Sequence, residues 1–392
     1  MAALSSCFDH MDRALNRALL EETLLAKGFT QTSLAERLGV TRAAVSKWMI
    51  GKSFPRPPEL LKLAKALGLS YGQLVQTVVP ANTEPLVAFR KRGSTKTTPA
   101  HITHAKEMGR LLAPMVKHLP FDEFISPGRL KNPSLDYDYL QSLVAELRRD
   151  LKLDPSGPVK FTDLIGRFKG LQAVLVPVMW GQKSRHENAL HIYLPESKTT
   201  WIYLNLDSHL HDFKFWMAHE LGHVLAVDLL TAGTLDQAED FSDAFAGALL
   251  FPEPAAKDVY DQYLKARTVQ ARIAVVMTAA AGYVISPNSV YKEIESFARA
   301  RTEKPFEELP KNAFFSALAD FNQKYPSVSE DMFDGKKPSA DRFMRVCEEV
   351  FKTPIFVALS TYLKEAPQSD SLVARILDVP LLDAKELRQA LV

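Results

Sequence analysis

Apolar residues recur at helical spacing through most of this chain, with strand-like runs confined to its middle. Asn16 to Lys27 is amphipathic and stops at Gly28, and Gln31 to Leu38 repeats the pattern and is closed by Gly39. After a short turn, Thr41 caps another helical stretch running to Met49, since a hydroxyl there can accept from the free amides of the first turn. Leu34, Leu38, Val40, Val45 and Trp48 fall on the inner side, leaving Arg42, Ala43, Ala44, Ser46 and Lys47 outward. Pro55, Pro57 and Pro58 break the chain before a helix over Glu59 to Leu67. Thr83 to Lys96 reads as a proline-bearing polar linker, followed by helical stretches near 104–119 and 136–151. Three runs bounded by Gly, Pro, Asn and Ser, at 170–177, 191–195 and 200–205, read as strands. Their sheet would offer an edge to which an extended peptide could add. Phe213 to Val224 sets aromatic and aliphatic residues around a pair of histidines, the composition of a buried helix, and Glu239 to Phe251 predicts a further helix ending at Pro252. Ala279 to Phe297 reads as a second turn-then-helix unit, and amphipathic helices follow at 306–325, 340–351, 355–363 and 384–391. The fold class predicted is α+β, mostly α. Its segments are a helical bundle over 1–80, a linker and connecting helix over 81–110, an α+β domain over 111–300, and a helical domain over 301–392.

Composition narrows this picture only locally. The 392 residues carry a net charge of +2, so the whole chain shows no polyanion-binding signal. Residues 11–80, however, hold ten Lys/Arg against five Asp/Glu, which puts a nucleic-acid partner, if any, at the N-terminal bundle. The two cysteines, Cys7 and Cys347, form no disulfide framework or thiolate metal site. No run of about 18 apolar residues suggests a membrane span, so the expected location is cytoplasmic.

The chemistry sits on the buried helix. His219 and His223 are four residues apart, hence on one helical face, and can direct two imidazole nitrogens at one zinc. Glu220 beside them can take a proton from zinc-bound water. Small Ala218 and Gly222 flank the ligands and allow close packing beneath the site. A hydrolytic zinc keeps three protein ligands and an open position. Glu239, sixteen residues after His223, has room to reach back from the next helix. Glu239 and Asp243 have the E-x-x-x-D spacing of glutamate-liganded zinc peptidases, in which the Asp orients a ligand histidine through its other nitrogen. The plainer reading is that Glu239, Asp240 and Asp243 open a helix, where acids are favoured.

The run from Gln31 through Ala-Glu-Arg-Leu-Gly39 to Ser46-Lys47-Trp48 resembles the XRE (Cro/repressor-type) helix-turn-helix, over Asn16 to Val79. That resemblance implies DNA contacts from Gln31, Arg42, Ala43 and Lys47, with Lys52 and Arg56 at phosphates. Several further features follow in order: Val-Ala-Phe89-Arg90-Lys91, the strand ending at Asn205, Ala218-His219-Glu220-Leu-Gly-His223, and Phe-Ala-Gly-Ala-Leu-Leu-Phe-Pro252. Together they resemble the ImmA/IrrE zinc metallopeptidases in their form fused to a helix-turn-helix, over Asn16 to Phe297. The resemblance implies one zinc per chain on His219, His223 and Glu239, with Glu220 as general base and Asp243 behind a ligand. It further implies a helix-turn-helix repressor as substrate, and relief of repression of stress, mobile-element or phage-defence genes. One departure stands out: Phe241 and Ser242 occupy positions where the family has a polar residue and then Ala.

Lesser features are expected to be ordinary. His209 and His211 read as polar surface, the 279–297 unit as packing or substrate docking, and Cys7 and Cys347 as inert rather than as ligands gating the zinc. The remaining expectations are DNA bound through the N-terminal domain, a nucleic acid as candidate activator, and no membrane. A rival from the same residues is a DNA-binding regulator or antitoxin whose zinc domain is a sensor; only the peptidase needs Glu220.

Overall fold

The computed structural model describes residues 8–9, 13–49, 53–77, 84–90, 99–121, 129–180, 189–231, 233–303, 305–366 and 368–392. Lys52 and Cys7 lie outside them. The chain divides into two compact units, residues 9–82 and, essentially, the remainder from 83 onward.

The smaller unit is a helical bundle of α1 (Arg17–Ala26), α2 (Gln31–Leu38), α3 (Arg42–Met49), α4 (Pro57–Leu67) and the single turn α5 (Tyr71–Leu74). Strands β1 (Arg13–Leu15) and β2 (Val75–Thr77) pair antiparallel across its ends. Thr30 caps α2 by accepting from the Ser33 amide, and Gly39 ends it in the left-handed region at φ 71°, which glycine adopts without a Cβ penalty. The Thr41 hydroxyl accepts from the Ala44 amide at 3.1 Å and starts α3. Leu34, Ala35, Leu38, Val45, Trp48, Leu63 and Leu67 form the core, and Val40 is half-buried at its border.

The larger unit is built on a four-stranded sheet in the order β3 (Leu86–Arg90), β5 (Ala189–Leu194), β6 (Thr199–Asn205), β4 (Val174–Val178). The β3–β5 and β5–β6 pairs are antiparallel and β4–β6 is parallel. Residues 86–90, expected as linker, are thus an edge strand: Ala88 sits opposite His191 in register and packs with Tyr193, Val227 and Ala238. The polar residues around this run hide its strand character in the sequence.

Around the sheet lie α6 (Pro99–Leu112), α7 (Tyr137–Asp150), α8 (Phe161–Gly170), α9 (Leu210–Leu225), α10 (Leu235–Leu250), α11 (Glu253–Lys265), α12 (Val269–Tyr283) and α13 (Pro287–Arg301). The architecture is α+β, mostly α. Helix α9 is buried from Phe213 to Leu225 apart from a half-buried Phe215, lying between the sheet and α10. Two buried cations tie its surroundings together. Lys214 on α9 donates to the carbonyls of Val159 (2.8 Å) and Tyr283 (2.5 Å). Arg148 on α7 donates to those of Leu249 (2.6 Å), Asp154 (2.7 Å) and Gly157. Val284 ends α12 in the left-handed region, and Ser286 caps α13. No single helix among the described residues is long and apolar enough to cross a membrane; α12 and α13 together are, but they are bent by 111° and pack on α11.

The C-terminal helices are not a separate body. They are α14 (Lys311–Asn322), α15 (Val328–Phe333), α16 (Ala340–Phe351), α17 (Ile355–Glu365), α18 (Asp370–Leu377) and α19 (Leu381–Leu391), and they share one apolar core with the sheet and α9. Polar bonds cross this seam, two of the three buried. Tyr203 donates to the Ile376 carbonyl (2.6 Å), Trp180 to that of Asp378 (3.0 Å) and Thr353 to that of Leu175 (2.5 Å). His211, expected at the surface, is buried for the same reason: its ring packs against Phe321 and Tyr325, and burial holds its imidazole down at about 4. His209 pairs with Ser327 through the backbone.

Candidate metal centre

Helices α9 and α10 run antiparallel in close contact, because Gly222 leaves no side chain between them: a Cβ there would lie 2.9 Å from Ser242 Cα. This approach brings the ligand candidates together. His219 Nε2 and His223 Nε2 are 2.9 Å apart, and Glu239 Oε2 and Oε1 lie 3.4 and 3.3 Å from them respectively. Ligands on a tetrahedral zinc with bonds of about 2.0–2.1 Å are separated by roughly 3.3 Å, so the two Glu–His separations fit and the His–His one is slightly short.

The outer nitrogens are occupied. His219 Nδ1 is 2.9 Å from Asp243 Oδ1, and His223 Nδ1 is 3.0 Å from Ser242 Oγ. With Nδ1–H of His219 given to a carboxylate, its Nε2 lone pair faces the common point, which is the tautomer a metal needs. Three electron-pair donors converging in a buried place repel one another unless a cation or shared proton lies between them. The donor set therefore fits zinc, with His219, His223 and Glu239 as holders. Burial alone would raise the Glu239 carboxyl, but the two imidazoles outweigh it and hold it below the ordinary range. The Glu239 and Asp243 side chains keep 26% and 31% of their surface exposed, so the centre opens on their side.

Glu220 points the other way from Gly222's contact, toward the sheet. It is 1% exposed, and its Oε2 lies 3.3 Å from Nδ1 of His191, a fully buried residue of β5. Burial raises the Glu220 carboxyl to about 8, with His223 opposing; a cation at the ligands would lower it. Burial and His223 push the His191 imidazole well down. Neither ring nitrogen of His191 makes a hydrogen bond of ordinary geometry among the described residues. His191 and Ser242 are the two residues that sequence reasoning missed. Both left a trace: a lone histidine inside an apolar strand, and a hydroxyl where the resembled family has Ala.

In the smaller unit Arg42, Ala43 and Lys47 are exposed on α3, Gln31 is half-buried at the start of α2, and Arg56 is exposed where it precedes α4. These five lie on or beside the helix-turn-helix. Cys347 is buried in the core of α16, outside the ligand cluster, and burial raises its thiol far above the ordinary range.

Fold and site thus define a helix-turn-helix domain followed by a domain of the metallopeptidase type. Residues 20–74 match the family model described as Helix-turn-helix, and residues 174–293 match the peptidase family model described as IrrE N-terminal-like domain. The chain is a fusion of an XRE-type helix-turn-helix, a DNA-binding domain, with an ImmA/IrrE-like peptidase domain. The second match contains His219, Glu220, His223, Glu239 and Asp243. No curated protein and no solved structure matches the chain.

Proposed function

We propose that the protein is a zinc-dependent endopeptidase that cleaves a helix-turn-helix repressor, relieving repression of stress, mobile-element or phage-defence genes. The observation that carries the reading is the convergence of His219, His223 and Glu239 on one point, with Glu220 beside the pair. Bound zinc supplies Lewis acidity, polarising a carbonyl and bringing the pKa of water to roughly 7. His219, His223 and Glu239 hold the ion, while Asp243 and Ser242 fix the two rings through their outer nitrogens. Glu220 accepts the proton of the attacking water at a carboxylate oxygen and returns it to the leaving amine. His191 limits the rotation of that carboxylate from the sheet side. Arg42, Ala43, Lys47 and Gln31 read DNA, and Lys52 and Arg56 meet phosphates, which brings the peptidase to a repressor on its operator.

A second reading, a regulator whose zinc domain senses rather than cuts, draws support from the near-complete burial of Glu220. Co-expression with candidate helix-turn-helix repressors, comparing wild type with Glu220→Gln under DNA damage, separates the two. A discrete cut made only by wild type is expected. An intact repressor throughout, with zinc and DNA still bound, would replace the peptidase with the sensor.

A further inference from the structure

A cleft of about 730 Å³, within the usual size range of ligand sites, begins at Asp243 and runs along α9 and α10 away from the ligands. Asp212, Phe215 and Trp216 line it from α9, on the helical face that ends in His219, and Asp240, Asp243, Ala244 and Gly247 line it from α10. Helix α13 closes the far side. We infer that this cleft holds a basic side chain, Lys or Arg, of the peptide being cut, with Glu293 as its counter-charge; the inference rests on the peptidase reading above.

Three observations carry it. Glu293 is recessed against the backbone of α10: a Cβ added at Gly247 would lie 2.1 Å from its Oε1, so the glycine makes the space the carboxyl occupies. Among the described residues no hydrogen bond or ion pair meets that carboxyl, and the half-buried Glu293 lines the cleft. The Tyr137 hydroxyl, also in the lining, is buried without a hydrogen-bond partner. A recessed carboxyl without a partner and a buried phenol oxygen without one favour an occupant that brings donors, and an ammonium or guanidinium has only donors.

The charge balance agrees in sign. Arg299 in the lining is paired with Glu295, and Asp243 with His219. The lining also holds the acids Asp212, Asp240 and Glu293 against Lys292, whose side chain is exposed. An anion is disfavoured, because the N-terminus of α13 is already capped by Ser286 and Glu293 stands less than two turns along. Burial raises the Glu293 carboxyl to about 8, so an arriving cation would draw off its proton and form the pair in a poorly solvated place.

The test uses the zinc-loaded full chain and one random decapeptide library in two arms. In the first, wild type cleaves the library and the cut sites are read by mass spectrometry. In the second, Glu220→Gln captures library peptides, and their Lys and Arg content is measured. The expected result is Lys or Arg at one fixed position beside the cut and enrichment of both in capture. For peptides built on the cut sequence, the kcat/KM ratio of Lys over norleucine at that position should fall roughly 30-fold or more in Glu293→Gln. Ser296→Lys, which sets an ammonium in the same cleft, should lower the ratio likewise and serves if Glu293→Gln fails to fold. Cleavage with no basic preference, or a preference indifferent to both variants, would overturn the cleft assignment while the peptidase reading stands. Capture of basic peptides through Glu293 with no cleavage by wild type would keep the cleft as a cation site and remove the peptidase reading.

Discussion

Replacing Gly222 by Ala tests whether the α9–α10 contact sets the separation of the metal ligands. In an unobstructed helix the change would stabilise by about 1 kcal/mol, since Ala loses less backbone entropy. Here the added Cβ would stand 2.9 Å from Ser242 Cα, 3.0 Å from its Oγ and 3.1 Å from its Cβ. Carbon atoms prefer about 3.5–4.0 Å, so the helices must part by roughly 0.5–1 Å. Overpacking of this kind costs about 1–3 kcal/mol, leaving a net loss of roughly 0–2 kcal/mol in the metal-free protein. The effect on zinc is larger. Two of the candidate ligands sit on α9, the third on α10, and the partners of both rings' outer nitrogens, Ser242 and Asp243, are on α10. Losing such partners lowers metal affinity about 10–100-fold. Competition against a chromophoric chelator at fixed pH gives the affinity, and thermal melts with and without chelator give the stability. Gly166→Ala, where a Cβ meets nothing within 4 Å, is the control. Zinc affinity within threefold of wild type in Gly222→Ala would refute the idea that this contact sets the ligand spacing.

Arg148→Met should lower stability by about 3–5 kcal/mol, because the carbonyls of Asp154, Gly157 and Leu249 lose their common donor in a buried place; a urea midpoint implying less than 1 kcal/mol would contradict this. Glu293 gives a pH signature. Its folded pKa, about 8, exceeds its ordinary 4.5, so the folded chain keeps a proton that the unfolded chain has released, and stability falls as pH rises from about 4.5 to 8. Relative to Glu293→Gln, wild type should lose on the order of 2–4 kcal/mol across that window in chelator-treated samples, and parallel stability curves would show that the carboxyl is well solvated.

The local patterns of this chain were legible because they depend on residues close in sequence. Four-residue spacing alone puts His219 and His223 on one face, and Gly39 with Thr41 fixes the turn between α2 and α3 through backbone conformation and a cap. Glu239 could be proposed because one short connection joins its helix to the histidines. Long-range contacts left weaker traces or none. Leu86–Arg90 reads as linker until it is paired with Ala189–Leu194, a hundred residues away. The C-terminal helices read as a domain of their own until Tyr203, Trp180 and Leu175 are seen bonded to them. His191 beside Glu220, Ser242 behind His223, and Glu293 fitted against Gly247 are meetings of separate elements. Helical and strand periodicity records which face of an element is buried, and so the sequence by itself determined most of the helices and the shared face of His219 and His223. Which face meets which is decided by how the whole core packs, and only the tertiary structure fixed the surroundings that orient the ligands and shape the cleft beside them.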